Sequence, residues 1–269
     1  MPQLHVVGDI HGHLAELRRL LRAGSIVDER DEWLAAQDTL VFVGDMVDRG
    51  SDGIGIIELV MHLQAAARRH GGAVHAVLGN HEVQFLAAHR LGNAPRGADV
   101  AHTFFGDWHR WGGVLTDLER LQPQHLSWLL ALPTMVRVGD ALLVHADATF
   151  YPEYGRTIDD VNAKVTAVLE SDEPGRWDQL QRDMVGKHAF EGDSGGRFLE
   201  RVLEQFGARR LIHGHSPICN VTGQPAHQVT APLVYAGGRC VNVDHGVYLG
   251  GAGFLFSSTI HSMGGVLSA

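Results

Sequence analysis

The 269-residue sequence is long enough for one large α/β domain or two small ones, with a substantial buried core. Its 45% hydrophobic and 20% charged residues exclude an extensively disordered chain. A net charge of −9, with no basic and aromatic stripe, argues against nucleic acid or an anionic membrane as partner, and against a nuclease.

No apolar run is long enough to span a bilayer, and Met1-Pro2-Gln3 lacks the basic-then-apolar pattern of a signal peptide. A cytoplasmic protein without membrane contact is therefore expected, with Cys219 and Cys240 reduced and structural. The 18 histidines exceed what buried packing requires, so some should bind ligands or carry protons.

Residues 4–7 form a short apolar strand that runs into Gly8-Asp9-Ile10-His11-Gly12-His13. Leu14, Leu17, Leu20 and Leu21 then recur at helical spacing, with arginines on the opposite face. The unit repeats: a strand at 40–43, the loop Gly44-Asp45-Met46-Val47-Asp48-Arg49-Gly50, and a helix marked by Ile54, Ile57, Val60, Met61 and Leu63. A third strand at 73–78 leads to Gly79-Asn80-His81-Glu82 and a third helix. This βαβαβ start predicts a parallel sheet with its functional loops along one edge.

Residues 91–132 change texture, with glycine, tryptophan and scattered histidine, and read as a helical insertion over that edge. Strands at 135–138 and 141–144 should make a hairpin about Gly139-Asp140, ending in His145-Ala146-Asp147. Helices at 161–169 and 198–206 flank a loop rich in Asp and Gly. A strand at 210–212 enters His213-Gly214-His215-Ser216-Pro217, and strands at 233–236, 240–243 and 253–258 complete a second, mostly antiparallel sheet. With no proline- or serine-rich linker, one domain over 1–269 is the economical reading.

Five strand-end loops thus carry Asp, Asn or His: Asp9 with His11, Asp45, Asn80 with His81, His145, and His213 with His215. Each alone could be a helix cap or a satisfied histidine, but capping does not explain five at equivalent positions. Carboxylate, amide and imidazole donors form a mixed hard and borderline set suited to Mn, Fe or Zn. A carboxylate lying between two such ions would make a two-metal site.

In family order and over residues 8–217, these motifs resemble those of the PPP-type phosphoprotein phosphatases of the calcineurin-like metallophosphoesterase superfamily. The Val144-His145-Ala146-Asp147 piece and the Gly214-His215-Ser216-Pro217 ending are most similar to bacterial and Shewanella-like members. The resemblance implies a layered β-sandwich flanked by helices. It implies that Asp9, His11 and Asp45 hold one metal and that Asp45, Asn80, His145 and His215 hold the other, Asp45 being the bridge. His213 stands where the family has an apolar or small residue and is held in reserve, while Asp147 replaces a common glycine.

The implied activity is phosphomonoester hydrolysis by direct attack of metal-bound hydroxide on phosphorus, without a covalent intermediate. His81 resembles the general acid, with Asp48 orienting it, and the fork of Arg49 matches phosphate. A second phosphate-binding arginine is expected between His145 and His215; of Arg156, Arg176, Arg182 and Arg197, the choice here is Arg182. His13, His75, His188 and His245 read as structural or exposed.

A phosphoprotein carrying phosphoserine, phosphothreonine or phosphotyrosine is the leading substrate, with a small phosphoester as the other substrate class. The intact Asp48-Arg49 pair leans that way, against a bis(5'-nucleosyl)-tetraphosphatase or other nucleotide phosphohydrolase. A non-catalytic metal- or phosphate-binding module is disfavoured because every expected ligand is present.

Overall fold

The computed structural model describes residues 2–97 and 99–261. Strand β1 (Gln3–Val7), helix α1 (Leu14–Ala23), β2 (Thr39–Phe42), α2 (Gly53–Arg69), β3 (Ala73–Ala76) and α3 (Asn80–Leu91) follow the expected βαβαβ order. Both strand pairs are parallel, with Val6 opposite Val41 and Leu40 opposite Val74.

The region from 91 to 132 is mainly helical, with α4 (Phe104–Arg110), α5 (Leu115–Arg120) and α6 (Pro123–Leu130). It also contains an unanticipated small hairpin, β4 (Pro95–Arg96) with β5 (Asp99–Thr103). Two residues of β4 carry too little alternation to register as a strand. This region is anchored to the sheet layer by Asp117, which accepts from the N–H groups of Gly53 and Ile54 at the start of α2. An orphan helix terminus is thereby capped from outside its own segment.

Strands β6 (Met135–Val138) and β7 (Ala141–Val144) pair antiparallel around Gly139-Asp140, at the expected positions. Helices α7 (Tyr151–Tyr154), α8 (Ile158–Leu169), α9 (Pro174–Met184) and α10 (Gly192–Gln205) come next. The segment read as an Asp- and Gly-rich loop thus contains α9, whose buried Trp177, Leu180 and Met184 lie at helical spacing among polar residues. Strand β8 (Arg210–His213), α11 (Ile218–Thr222), β9 (Leu233–Tyr235), β10 (Cys240–Asn242) and β11 (Phe256–Thr259) close the chain.

The first sheet has the order β11-β1-β2-β3 and the second β6-β7-β8-β10-β9. The expectation of a mostly antiparallel second sheet is corrected: β7, β8 and β10 run parallel and only its two edges are antiparallel. The last strand joins the first sheet instead, antiparallel to β1. The long helical connection through α7–α10 brings β8 back parallel to β7, and the path through α11 and the edge strand β9 brings β10 back parallel to β8; strand-by-strand patterning reports neither.

The period-2 alternation of the strands divides the core. Val6, Val41, Val43, Leu143, Ile212 and Val241 turn inward, where the two sheets face each other. Val7, Leu40, Phe42, Leu142 and Val144 turn outward against the helices. Burial on both faces explains why these strands are nearly continuous hydrophobic runs. The strands' carboxyl ends from both sheets meet along one rim. Both cysteines are buried and free, and no helix among the described residues is long and apolar enough to cross a membrane.

Candidate metal centre

Asp9, His11, Asp45, Asn80, His145 and His215 converge on this rim, the first four from the first sheet and the last two from the second. The donor atoms of Asp45, His145 and His215 lie within 4.8 Å of one another, as do those of His11, Asp45 and His81. Asp45 belongs to both groups. One carboxylate oxygen is 3.4 Å from His145 Nε2 and the other 3.5 Å from His11 Nε2. Asp9 is in neither group, His81 standing with His11 and Asp45 instead; it lies beside the cluster, where the backbone N–H of His215 donates to both its oxygens at 3.0 and 3.1 Å.

Each imidazole is aimed by its other nitrogen. His11 Nδ1 donates to the Val47 carbonyl at 3.0 Å and His145 Nδ1 to that of Val43 at 2.8 Å, so both present Nε2 to Asp45. His145 Nε2 also lies 2.8 Å from Asn80 Oδ1. Fixing one nitrogen to a carbonyl sets the tautomer and leaves the other lone pair free for a metal.

The backbone is strained at this place. His11, Asp45, Asp48, Arg49 and His215 have φ of 43°, 52°, 68°, 66° and 67°, half of the ten described non-glycine residues with positive φ. Such conformations cost of order 1–3 kcal/mol each and persist where surrounding structure over-determines them. Glu82 supplies much of that restraint. Fully buried, it accepts from the N–H groups of Gly79, Asp45, Met46 and Val47 at 2.7–3.3 Å, pinning the Asp45 loop to the start of α3. Gly44, at φ 95°, leaves no room for a side chain: a Cβ there would approach Gly79 Cα at 2.7 Å and His145 Nδ1 at 2.9 Å.

Electrostatics separates the histidines into two kinds. Burial drives His11, His145 and His215 below the usual imidazole range, His215 to about 3, so they are neutral donors. Burial acts the same way on His81, but Asp45 and Asp48 outweigh it and raise its pKa. His81 Nδ1 bonds Asp48 Oδ2 at 2.7 Å, while Trp108 Nε1 in α4 donates to Asp48 Oδ1 at 2.8 Å. Three buried side chains from separate elements form one chain of hydrogen bonds. Neighbouring groups with oppositely displaced pKa values are a mark of acid–base assignment.

Arg49 lies across the front. Its Nη1 is 2.9 Å from His11 Nε2 and its Nη2 2.9 Å from His81 Nε2. Its guanidinium stacks 4.2 Å from the Tyr248 ring, and its backbone N–H donates to Gly112 at 2.7 Å. A cavity of about 450 Å³ opens from here, walled by Arg49, His81, Arg96, Arg182, Lys187 and Tyr248 among others.

Arg182 thus lines the cavity, at the end of α9, whereas Arg156, Arg176 and Arg197 do not. Its side chain is 65% exposed and ion-paired with Asp178. Arg96 also lines the cavity and bonds Asp178 and Asp107, although it precedes the stretch in which a second arginine was sought. His213 points elsewhere: Nδ1 donates to Gly214 and Nε2 is 2.8 Å from the Tyr235 hydroxyl, which in turn donates to Asp147. Both residues belong to that buried network beside the centre. His245 is buried edge-on against Phe254, as a structural residue would be.

Trp108, Tyr248 and Asp244 were not anticipated. Nothing local marks the first two. Asp244 carried a usable signal, because it follows a strand as the other acids do.

The donor set fits two divalent ions: neutral imidazoles, an amide oxygen and buried carboxylates around a shared Asp45. Comparison with known proteins identifies the family. A family model described as calcineurin-like phosphoesterase matches residues 3–219. The chain is 26% identical over 236 residues to Shewanella-like protein phosphatase 1 of Plasmodium berghei, covering 83% of this chain and 62% of that protein. It is 33% identical over 184 residues to a symmetrical bis(5'-nucleosyl)-tetraphosphatase of Pectobacterium carotovorum, covering 67% and 56%. It therefore spans less than two thirds of the length of these relatives. The crystal structure of a cold-active protein-tyrosine phosphatase from a psychrophilic Shewanella superposes with a TM-score of 0.71 at 21% identity, over 96% of this chain and 75% of that one. With most of its length matched by that model, the chain belongs to the calcineurin-like phosphoesterase family.

Proposed function

We propose that this chain is a two-metal phosphomonoesterase acting on phosphoproteins. The observation that carries this reading is the shared Asp45, flanked on one side by neutral imidazoles and on the other by the Asp48–His81 pair. Asp9, His11 and Asp45 would hold one ion, and Asp45, Asn80, His145 and His215 the other, with Mn the first choice and Fe or Zn alternatives. Bound metals there would polarise the phosphoryl oxygens and bring a water's pKa near neutrality.

The chain's own groups do the rest. Arg49 offers two parallel N–H donors to the phosphoryl oxygens, and Arg182 a further cation on the cavity wall. When the Arg49 fork turns to phosphate it leaves His81 Nε2, which then carries a proton toward the leaving oxygen. Asp48, held by Trp108, keeps the His81 ring in register and stabilises its charged form. The Tyr248 ring restrains Arg49 from behind.

A dinucleoside polyphosphate substrate is a second reading, favoured by the additional cations Arg96 and Lys187 on the cavity wall and by the tetraphosphatase relatives. Metal-stripped protein reloaded with Mn should hydrolyse phosphopeptides and p-nitrophenyl phosphate faster than Ap4A, measured as kcat/KM, and chelation should abolish all of it. Faster hydrolysis of Ap4A would favour the second reading. No turnover of any substrate with metal bound would overturn both and leave a binding module.

A further inference from the structure

We propose that Asp244 is a positioning residue of the metal centre, supplying a further carboxylate to the side formed by Asp9 and His11. The inference rests on reading the cluster as a metal centre.

Asp244 stands just beyond β10, a central strand of the second sheet, and is fully buried. Its surroundings fix it tightly. Its N–H donates to Asn242 Oδ1 at 2.8 Å, its carbonyl accepts from Ile218, and its Oδ1 accepts from Gly246 N–H at 3.0 Å. Asn242 in turn donates to the Ser216 carbonyl at 2.7 Å, tying the segment to the His215 loop. The ends of β1 and β10 run in contact here: a Cβ on Gly8 would collide with the Val243 carbonyl and lie 3.1 Å from Asp244 Cα. Asp244 is thereby set beside Asp9.

Its second oxygen is different. Asp244 Oδ2 is shielded from solvent and has no hydrogen-bond donor among the described residues. Turn formation explains Oδ1, through Gly246, and leaves Oδ2 with no N–H or hydroxyl donor, the carboxyl's remaining side-chain contact being with that of Asp9. Burial acts most strongly on this carboxyl, followed by the Gly246 N–H, the charges of Asp45 and Arg49, and a side-chain hydrogen bond with Asp9. Three carboxyl groups are thus gathered with one guanidinium in a water-excluded place, an arrangement whose charge conflict is relieved either by a proton shared between Asp9 and Asp244 or by a cation.

The added oxygen also makes the centre asymmetric. With His81 kept for proton transfer, the Asp9 side would offer Asp9, Asp45 and Asp244 with the His11 imidazole, whereas the other side would offer Asp45 and Asn80 with the two imidazoles of His145 and His215. Oxygen-rich surroundings favour a hard ion such as Mn, and imidazole-rich ones a borderline ion.

A structural alternative has Asp244 as a neutral acid donating to Asp9. The two roles separate in Asp244→Asn, because an amide donates to Asp9 equally well but carries no charge. Metal-stripped full-length protein is titrated with Mn by calorimetry and by electron paramagnetic resonance, and thermal midpoints are measured without metal. Wild type should take up two equivalents. Asp244→Asn should bind one of them about 10–100-fold more weakly, the usual consequence of losing a group that supports a ligand. Its exchange-coupled two-ion signal should give way to that of a single ion, with a metal-free midpoint no lower than wild type.

Asp244→Ser keeps a short acceptor for Gly246 and should show the same selective loss if the Asn protein does not fold. Two equivalents at wild-type affinity in Asp244→Asn would overturn the proposal. So would equal weakening of both equivalents with a lowered metal-free midpoint, which marks a structural role. A wild-type protein that takes up no Mn would instead refute the metal centre itself.

Discussion

Trp108→Phe tests the link between the insertion and the chemistry. The indole N–H is the donor to Asp48 Oδ1, and the other oxygen is bound to His81. Phenylalanine preserves most of the packing, since the Trp108 ring lies 5.9 Å from Phe85 and 5.6 Å from Phe105. The loss of one donor to a buried acid costs about 1–3 kcal/mol, and the void left by the smaller ring adds to it. For a chain of this size that corresponds to a fall in Tm of roughly 3–10 °C.

The catalytic effect should be more selective than the thermal one. Burial already raises the pKa of Asp48, and losing the indole raises it further, so its anion supports the His81 imidazolium less well. His81 must be protonated to act as an acid, and its activity is lost as pH rises through its pKa. Since Asp45 and Asp48 hold that pKa up, weakening Asp48 moves the basic limb of the kcat profile to lower pH. Turnover of an alkyl phosphate, whose leaving group needs a proton, should fall about 10–100-fold, within the range assigned to general acids. Turnover of p-nitrophenyl phosphate should fall far less. Equal losses for the two substrates, with an unmoved basic limb, would refute the role given to this chain of hydrogen bonds.

Asp45→Asn should lower bound metal at both positions, because both donor groups include this carboxylate; two full equivalents by elemental analysis would count against the bridge. Arg49→Lys replaces a fork with a point charge, and kcat/KM for phosphopeptides should drop about 10–100-fold with metal content unchanged, consistent with losing a charged hydrogen bond. Arg182→Ala should raise KM and weaken competitive inhibition by inorganic phosphate while leaving metal content alone. Unchanged phosphate inhibition in that variant would remove Arg182 from the site.

Strand-end acids and histidines were legible in the sequence because the βαβαβ pattern placed Asp9, Asp45 and Asn80 at equivalent ends of parallel strands. The hairpin carrying His145 was legible for a similar reason, its turn and alternation being local. Less local features were hidden. Helix α9 was missed because its buried residues are spaced among Asp, Gln and Arg, and the small hairpin of the insertion because two residues carry no period. The partner of β11 could not be read either, since β1 lies some 250 positions away and any exposed strand edge would satisfy its backbone. Likewise Trp108 reaches Asp48 across 60 positions, and only the folded insertion brings them together. Glu82 stood in plain view within a motif, but its four backbone partners depend on the tight turn at Gly44.

The pairing of β1 with β11, and the bond from His215 to Asp9 across 206 positions, set the order in which this molecule can be made. On a ribosome, the first sheet emerges early but lacks an edge strand and a facing layer until the second sheet and β11 have followed. Its inner face of Val6, Val41 and Val43 stays uncovered during that interval. Contacts of such long range slow folding and leave apolar surface open to other chains. On the ligand set proposed above, metal uptake would follow the arrival of His145 and His215, long after Asp9 and His11 have left the ribosome.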